Sequence, residues 1–202
     1  MTTRPSQWHE TPDLYGDHVT LSQLRSHHAP GVLAAADDDA VFEWLSVHRP
    51  RDLDEAERLV QESVAAADAG TRAVWAQFDT ASGELAGSTS YYEIDPERRT
   101  VAIGYTWLAK RFQRTGVNTE AKLLLLGRAF DTLGAVRVVW HTDALNTQSR
   151  EAVERLGATF EGILRKHKLR KDGSWRDTAQ FAMTDDDWPQ AQQALRVRLR
   201  EG

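Results

Sequence analysis

The sequence predicts an α/β (α+β) fold in which one mixed sheet is flanked by helices. Three observations carry that reading. Runs 71–80, 84–94 and 100–108 are strand-like and are joined by the short turn-forming linkers "ASG" and "DPERR", which makes an antiparallel meander. Directly after it the apolar spacing changes to a helical face over 117–133. Behind that helix, strand and helix signals alternate, so the meander feeds a β-α-β-α-β unit.

The elements follow in order. "HVTLSQL" (18–24) alternates and reads as a first strand. "HHAPGVLAAADDDAVFEWL" (27–45) reads as one or two short helices broken near Asp37, Asp38 and Asp39. Those aspartates read as a solvated helix junction rather than a metal site, because no second acidic cluster stands nearby. "DLDEAERLVQESVAAADAG" (52–70) is a helix: Asp52 or Asp54 caps it, carboxylates fill its first turn and Gly70 ends it. The 117–133 helix places Val117, Ala121, Leu124, Leu125 and Phe130 on its apolar face. "AVRVVWHT" (135–142) is a buried-type strand, and "TQSREAVERLG" (147–157) is a helix closed by Gly157. A long hairpin turns around "KDG" (171–173), where Asp172–Gly173 is a strong turn signal. The last residues read as a short terminal helix. The division expected is an N-terminal extension (1–13), one domain (14–188) and a helical tail (189–202).

Composition narrows the function classes. The chain has 202 residues, 41% of them hydrophobic, enough to form a core. No apolar run approaches the roughly 18 residues of a membrane span. The N-terminus lacks the basic-then-apolar layout of a signal peptide. The chain has no cysteine, which excludes disulfides, thiolate metal sites and a cysteine nucleophile. A cytoplasmic location is expected, with no membrane partner. A net charge of -5 argues against nucleic-acid binding driven by whole-chain charge, so no direct DNA binding is expected.

The stretch "QRTGVN" (113–118) sits where the long helix must begin. A helix N-terminus presents unpaired N–H groups and a partial positive charge, and small residues let an anion approach them. The stretch is neither G-x-x-x-x-G-K-[ST] nor G-x-G-x-x-G, so a P-loop and a dinucleotide fingerprint are both out. Two readings remain on spacing alone: a phosphate cradle flanked by Arg111 and Arg114, or an ordinary helix start capped by Asn118 or Thr119.

"QRTGVN" resembles the Q/R-x-x-G-x-G/A signature of the GCN5-related N-acetyltransferase (GNAT) superfamily. "IGYTWL" (103–108) resembles the strand that precedes that turn. "DALNTQSREAVERLGATFEGILRKH" (143–167) and "DGSWRDTAQFAMTDDDW" (172–188) are similar to the later blocks of its ribosomal-protein alanine N-acetyltransferase (RimJ/RimL)-like subgroup. Each motif alone is weak, but four in order, running from about residue 14 to 188, are specific. One departure is Asn118, where Gly or Ala is usual. Asn tolerates left-handed backbone and caps helices well.

The resemblance implies a centrally splayed sheet, acetyl-CoA as co-substrate and no metal. It implies that the amides of residues 114–119 (Arg114, Thr115, Gly116, Val117, Asn118, Thr119) grip the pyrophosphate, helped by Arg111, Gln113 and Arg114. The pantetheine arm would pair with the strand edge at Trp107 and Leu108, with Asn146 holding the arm. Ser149 would sit near the sulfur and donate a proton to the leaving thiolate. Asn146 or Thr147 as a simple helix cap is the plainer reading of the same residues. Trp44 and Tyr92 are expected as acceptor-pocket walls, and Trp75 and Trp140 as core. The resemblance leaves a homodimer open.

The base is less legible. Related enzymes often carry a glutamate two residues ahead of "GY", where this chain has Ala102. Some of the subgroup carry one seven residues beyond the "EG" glutamate, Glu161, where this chain has Lys168. His141, Tyr105, Asp143, Glu93 and His167 remain as candidates, the first two being the favoured catalytic pair. Glu161 itself is expected to be structural. An α-amine has a reference pKa of about 7.7–8.0 and a lysine about 10.4. A site without an evident carboxylate therefore suits a protein N-terminal amine or another low-pKa amine. The expected function is acetyl transfer to such a primary amine by direct attack in a ternary complex. An idle acyl-CoA-binding module is the alternative, and a nucleotide-binding α/β protein is disfavoured by motif and strand order.

Overall fold

A computed structural model describes residues 7–201. Residues 1–6, the start of the expected N-terminal extension, and residue 202 lie outside the described residues. The strands are β1 (Leu14–Tyr15), β2 (Val19–Gln23), β3 (Arg72–Asp79), β4 (Leu85–Asp95), β5 (Thr100–Leu108), β6 (Arg137–Asp143), β7 (Thr159–Leu169) and β8 (Trp175–Thr184). The helices are α1 (Ala29–Ala35), α2 (Leu53–Asp68), α3 (Gly116–Gly127), α4 (Thr147–Glu154) and α5 (Trp188–Glu201). One eight-stranded sheet runs β1-β2-β3-β4-β5-β6-β8-β7. Every pairing is antiparallel except β5 with β6.

The mixed sheet, the meander β3–β4–β5 and the final hairpin agree with the sequence reading. α2 is capped by the Asp52 side chain, which accepts from Glu55 N at 2.9 Å, and Gly70 beyond its end takes φ 69°. The aspartate run breaks the early helices as expected. Asp38 caps a short 3-10 turn, Asp37 accepts from Lys110 N, and Asp39 pairs with Arg51.

Three local expectations are corrected. α3 is capped by Thr115, whose Oγ1 accepts from Val117 N at 3.3 Å, so neither Asn118 nor Thr119 is the cap. The 117–133 helix is not uniform; after Gly127 it widens into a π turn over Arg128–Thr132. The terminal helix has 14 residues and is docked rather than short, with Trp188, Ala191 and Leu195 buried. Trp188 stacks on Phe130 at 5.5 Å, and its Nε1 donates to Asp131 at 2.8 Å.

The sheet separates two apolar cores. β3 shows why: Ala73 and Trp75 point to one face, Val74 and Ala76 to the other, the period of two that a strand imposes. On the first face Trp75, Ile103 and Phe181 pack under α3 and α5 with Leu125, Leu126 and Leu195, and Trp8 joins them. On the second face Val74, Ala76 and Trp107 pack under α1 and α2 with Val32, Phe42 and Val60.

What positions the site is a failure of pairing. β5 and β6 are matched only at Thr100–Arg137, Val101–Val138 and Ala102–Val139. β6 stays paired to β8 through Asp143, whereas β5 runs on to Leu108 without β6. Register shifts in the β4–β5 ladder, with Glu93 and Tyr105 both in left-handed backbone at φ 49°, bend β5 away.

Candidate active site

A groove of ≈ 1180 Å³ occupies this divergence. The start of α3 forms part of its wall. Arg114 has φ 61°, a left-handed conformation that costs energy outside glycine and tends to mark functional turns. Gln113, Arg114, Thr115, Gly116, Asn118 and Thr119 all line the groove. The first-turn N–H groups of a helix lack intrahelical acceptors, so this end offers donors to an anion.

One expected phosphate ligand stands elsewhere, whereas the group expected of Val117, its backbone amide, stays with the turn. Val117 is 1% exposed and packs in the core, so only its backbone belongs to the turn. Arg111 is committed to Asp37 at 3.0 Å and Glu84 at 2.9 Å and lies over the Phe112 ring. It does not line the groove, and two carboxylates already neutralise it; the expectation that it adds charge to the phosphates is corrected.

Residues that the sequence reading missed complete the turn. Glu120, on the first turns of α3, is buried, and its carboxylate accepts from the backbone N–H groups of Asp17, His18 and Val19 at 3.0, 2.6 and 2.9 Å. This clamp lays the His18 ring against the turn: a Cβ built on Gly116 would stand 2.6 Å from it. Packing therefore favours Gly116 as well as any ligand does, since a side chain there would push the His18 ring aside. Strand assignment of 18–24 offered no signal that His18 would reach a turn nearly a hundred residues away.

Lys122 is the other missed residue. It is 5% exposed, lines the groove, and donates to Thr89 Oγ1 at 3.0 Å and Thr106 Oγ1 at 2.8 Å. Burial pulls its amine down to about 7.

Trp107 and Leu108 of β5 and Asn146 and Ser149 at the start of α4 all line the groove. Asn146 does cap α4, its Oδ1 accepting from Ser149 N at 2.9 Å, which leaves its –NH2 as the end able to donate into the groove. Trp140, expected as core, is in the core and also lines the groove. Its buried Nε1 has no partner in the protein, an orphan donor that fits a polar ligand lying there.

The groove is also lined by a cluster around His141. Its side chain is 6% exposed. Glu161, an acceptor only, pairs with Arg137 at 2.6 Å and takes Gln180 Nε2 at 2.9 Å. Gln180 must therefore turn Oε1 to His141 Nε2, at 3.2 Å. That assignment puts the imidazole proton on Nε2 and leaves Nδ1 to accept from the Tyr92 hydroxyl at 2.8 Å. Burial holds His141 below its ordinary value, with Lys168 and His167 adding to the effect against Glu93 and Gln180. Burial likewise pushes the Tyr92 hydroxyl up.

Tyr105 is exposed, edge-on to Tyr92 at 5.2 Å and covered by the Arg72 guanidinium at 4.5 Å. Glu93 stands 3.9 Å from His141 Nδ1 and is half-exposed. His167 is 5.6 Å from His141, ring to ring. Trp44 also lines the groove. Asp143 is removed from the base candidates. Burial would raise its carboxyl, but hydrogen bonds from Arg170, the closer at 2.6 Å, and from Leu145 N hold it below the usual range. Glu161 has the structural role expected of it.

The comparisons with known proteins bear on this arrangement. The sequence model of the acetyltransferase (GNAT) domain matches residues 18–159. The chain belongs to the acetyltransferase (GNAT) family. A GCN5-related N-acetyltransferase structure from Brucella melitensis is 33% identical, with a TM-score of 0.89 over 94% of this chain and 86% of that one. The Bacillus subtilis protein named "Putative ribosomal N-acetyltransferase YdaF" is 33% identical over 106 residues, 52% of this chain and 57% of its own length. The chain thus spans little more than half of that curated relative. A Mycobacterium smegmatis RimJ structure in complex with CoA-disulfide shares the fold at 23% identity, with a TM-score of 0.75 over 89% of this chain and 88% of that one. In this GNAT domain the divergence of β5 and β6 corresponds to the splayed sheet that the resemblance implied.

Proposed function

We propose that the protein is an N-acetyltransferase, moving the acetyl group of acetyl-CoA to a primary amine by direct attack in a ternary complex. The observation that carries this is the early end of β5–β6 pairing at Ala102–Val139, with the α3 turn and His141 both lining the opened groove.

The residues divide the work as follows. The amides of residues 114–119, with Arg114 and the His18 ring beside them, bind the pyrophosphate. The unpaired edge of β5 at Trp107 and Leu108 holds the pantetheine arm, and Asn146 –NH2 and Trp140 Nε1 donate to it. Exposed β5 amides polarise the thioester carbonyl. Ser149 supplies a proton to the departing thiolate. The acceptor ammonium first gives one proton to the Tyr92 oxygen as Tyr92 passes its own to His141 Nδ1, so the neutral imidazole takes that proton and the neutral amine attacks. The second proton leaves the nitrogen as the tetrahedral adduct collapses and replaces the one Ser149 gives to the thiolate. Glu93 steadies the resulting imidazolium. Lys168, where the resemblance implies a glutamate in some of the subgroup, contributes no base.

The acceptor is a protein N-terminal amine or a small-molecule amine of similar basicity. No helix among the described residues is long and apolar enough to cross a membrane, and a cytoplasmic setting and a possible homodimer belong to the same reading. The test is release of free thiol from acetyl-CoA across an amine panel, with acetylated product identified by mass. Amine-dependent release supports the reading. Calorimetric binding of acetyl-CoA with no release across the panel points instead to an idle acyl-CoA-binding module, the reading favoured by the missing glutamates at Ala102 and Lys168.

A further inference from the structure

A second cavity of ≈ 530 Å³ lies on the α2 face of the sheet. It shares Leu45, Ser46, Tyr92, Tyr105, Trp107 and Lys168 with the groove, so the two spaces meet beside the Tyr92–His141 pair. The volume lies within the ~300–1,000 Å³ of small-molecule pockets and is several times the ~150 Å³ that encloses benzene. A space this large deprives its lining of packing partners, which argues for an occupant.

Three features describe that occupant. The inner wall is apolar, from Leu24, Val32, Leu59, Val60 and Val74. Among the polar groups of the lining Ser90 of β4 is distinct: it is 1% exposed, and its Oγ has no hydrogen-bond partner in the protein. Native structures rarely leave such a group unpaired. Lys168 stands 5.6 Å from the Tyr92 ring and Arg72 covers Tyr105, and Glu62 and Glu93 in the same lining balance these two cations, so it is the apolar wall that disfavours a second charge on the body of an occupant.

We propose that this chamber receives the body of the acceptor, and that the acceptor is therefore a singly charged amine with a bulky, mainly apolar body ending in a hydrogen-bonding atom, as in a hydroxyphenyl-ethyl amine. The inference rests on the acetyltransferase reading and deepens it. The same chemistry comes from two sources, a free arylalkylamine or an N-terminal tyrosine, and both differ from an acceptor with a methyl-sized side chain or from a diamine.

The experiment compares kcat/KM by thiol release for tyramine, phenethylamine, ethylamine, 1,5-diaminopentane and the peptides Tyr-Ala-Ala and Ala-Ala-Ala. Calorimetry of tyramine with the CoA-loaded protein runs in parallel. A preference of about tenfold or more for tyramine over ethylamine, or for Tyr-Ala-Ala over Ala-Ala-Ala, is expected, and which pair shows it identifies the source. Ala66→Trp, which fills the chamber from α2, should cut that preference at least about fivefold. Ser90→Ala should lower tyramine by about fivefold relative to phenethylamine. Equal or better use of the small amines or the diamine, an undiminished preference in Ala66→Trp, or no heat with tyramine overturns the proposal. Thiol release confined to small amines defeats this inference alone, whereas absence of any heat with acetyl-CoA defeats the acetyltransferase reading beneath it.

Discussion

The imidazole of His18 lies across Gly116, so close that one added carbon on Gly116 would fall 2.6 Å from the ring. The histidine cannot retreat freely, because its own backbone N–H is held by Glu120 at 2.6 Å. The motif glycine and the first paired strand are thus one mechanical unit, and variants of it separate packing from ligand binding.

Gly116→Ala should fold, since only a ring must give way, but with the turn displaced. The expected outcome is acetyl-CoA affinity weaker by about tenfold and a stability loss of about 1–3 kcal/mol. Calorimetry and urea titration read the two separately. Wild-type affinity in the alanine variant would remove the turn from the site.

Glu120→Gln replaces an acceptor of three backbone N–H groups by one with a single acceptor oxygen. Hydrogen bonds to a charged group contribute about 1.5–3 kcal/mol, so a loss on the order of 2 kcal/mol is expected in urea. Gly16 should be equally intolerant, because a Cβ there would stand 2.3 Å from the same carboxylate.

Lys122 links stability to pH. Its amine sits at about 7 in the folded chain and near 10.4 when unfolded. Between those values the unfolded chain binds the extra proton, so stability rises with pH across that window and is flat below it. Lys122→Met should remove this rise. The urea midpoints of wild type and variant should differ in favour of the variant at pH 6–7, the gap closing toward pH 10 by an amount on the order of a few kcal/mol. A constant gap would contradict a neutral buried amine.

Tyr92→Phe breaks the link to His141 Nδ1 without changing the ring. A fall in kcat of about 10²-fold with little change in the KM for acetyl-CoA is expected. The acid limb of the wild-type pH–rate profile should lie below the ordinary histidine value, because burial holds His141 down, and it should vanish in His141→Gln.

Arg111 and Arg114, three positions apart, give opposite expectations. Arg111→Ala should leave the KM for acetyl-CoA within about twofold, since its charge is spent on Asp37 and Glu84. Arg114→Ala should raise it by about tenfold. Equal effects would mean that the ion pair opens when the co-substrate binds.

Much of this molecule is local enough to be read from the chain. The strand-like runs 71–80, 84–94 and 100–108 with their short linkers, the Asp52 cap, the Asp172–Gly173 turn and the glycine stops at 70 and 157 each depend on near neighbours, so these elements appear where expected. The cap of α3 was misplaced because Thr115, Asn118 and Thr119 are all competent and only the path of the turn chooses among them. Arg111 was misread for a related reason: its partners Asp37 and Glu84 lie far away in sequence and meet it only across the folded surface.

By itself, then, the amino-acid order determined the strand and helix succession, the motif at 113–118, the family and the absence of the familiar carboxylates. Tertiary structure alone decided that β5 parts from β6 after Ala102, that His18 and Glu120 close the turn, that Gln180 orients His141 toward Tyr92, and that Lys122 is buried without a carboxylate. The division has a physical cause. Propensity, periodicity and capping act over a few residues, whereas proton affinity and groove shape depend on which distant groups share a low-dielectric space, and only the completed packing brings those groups together.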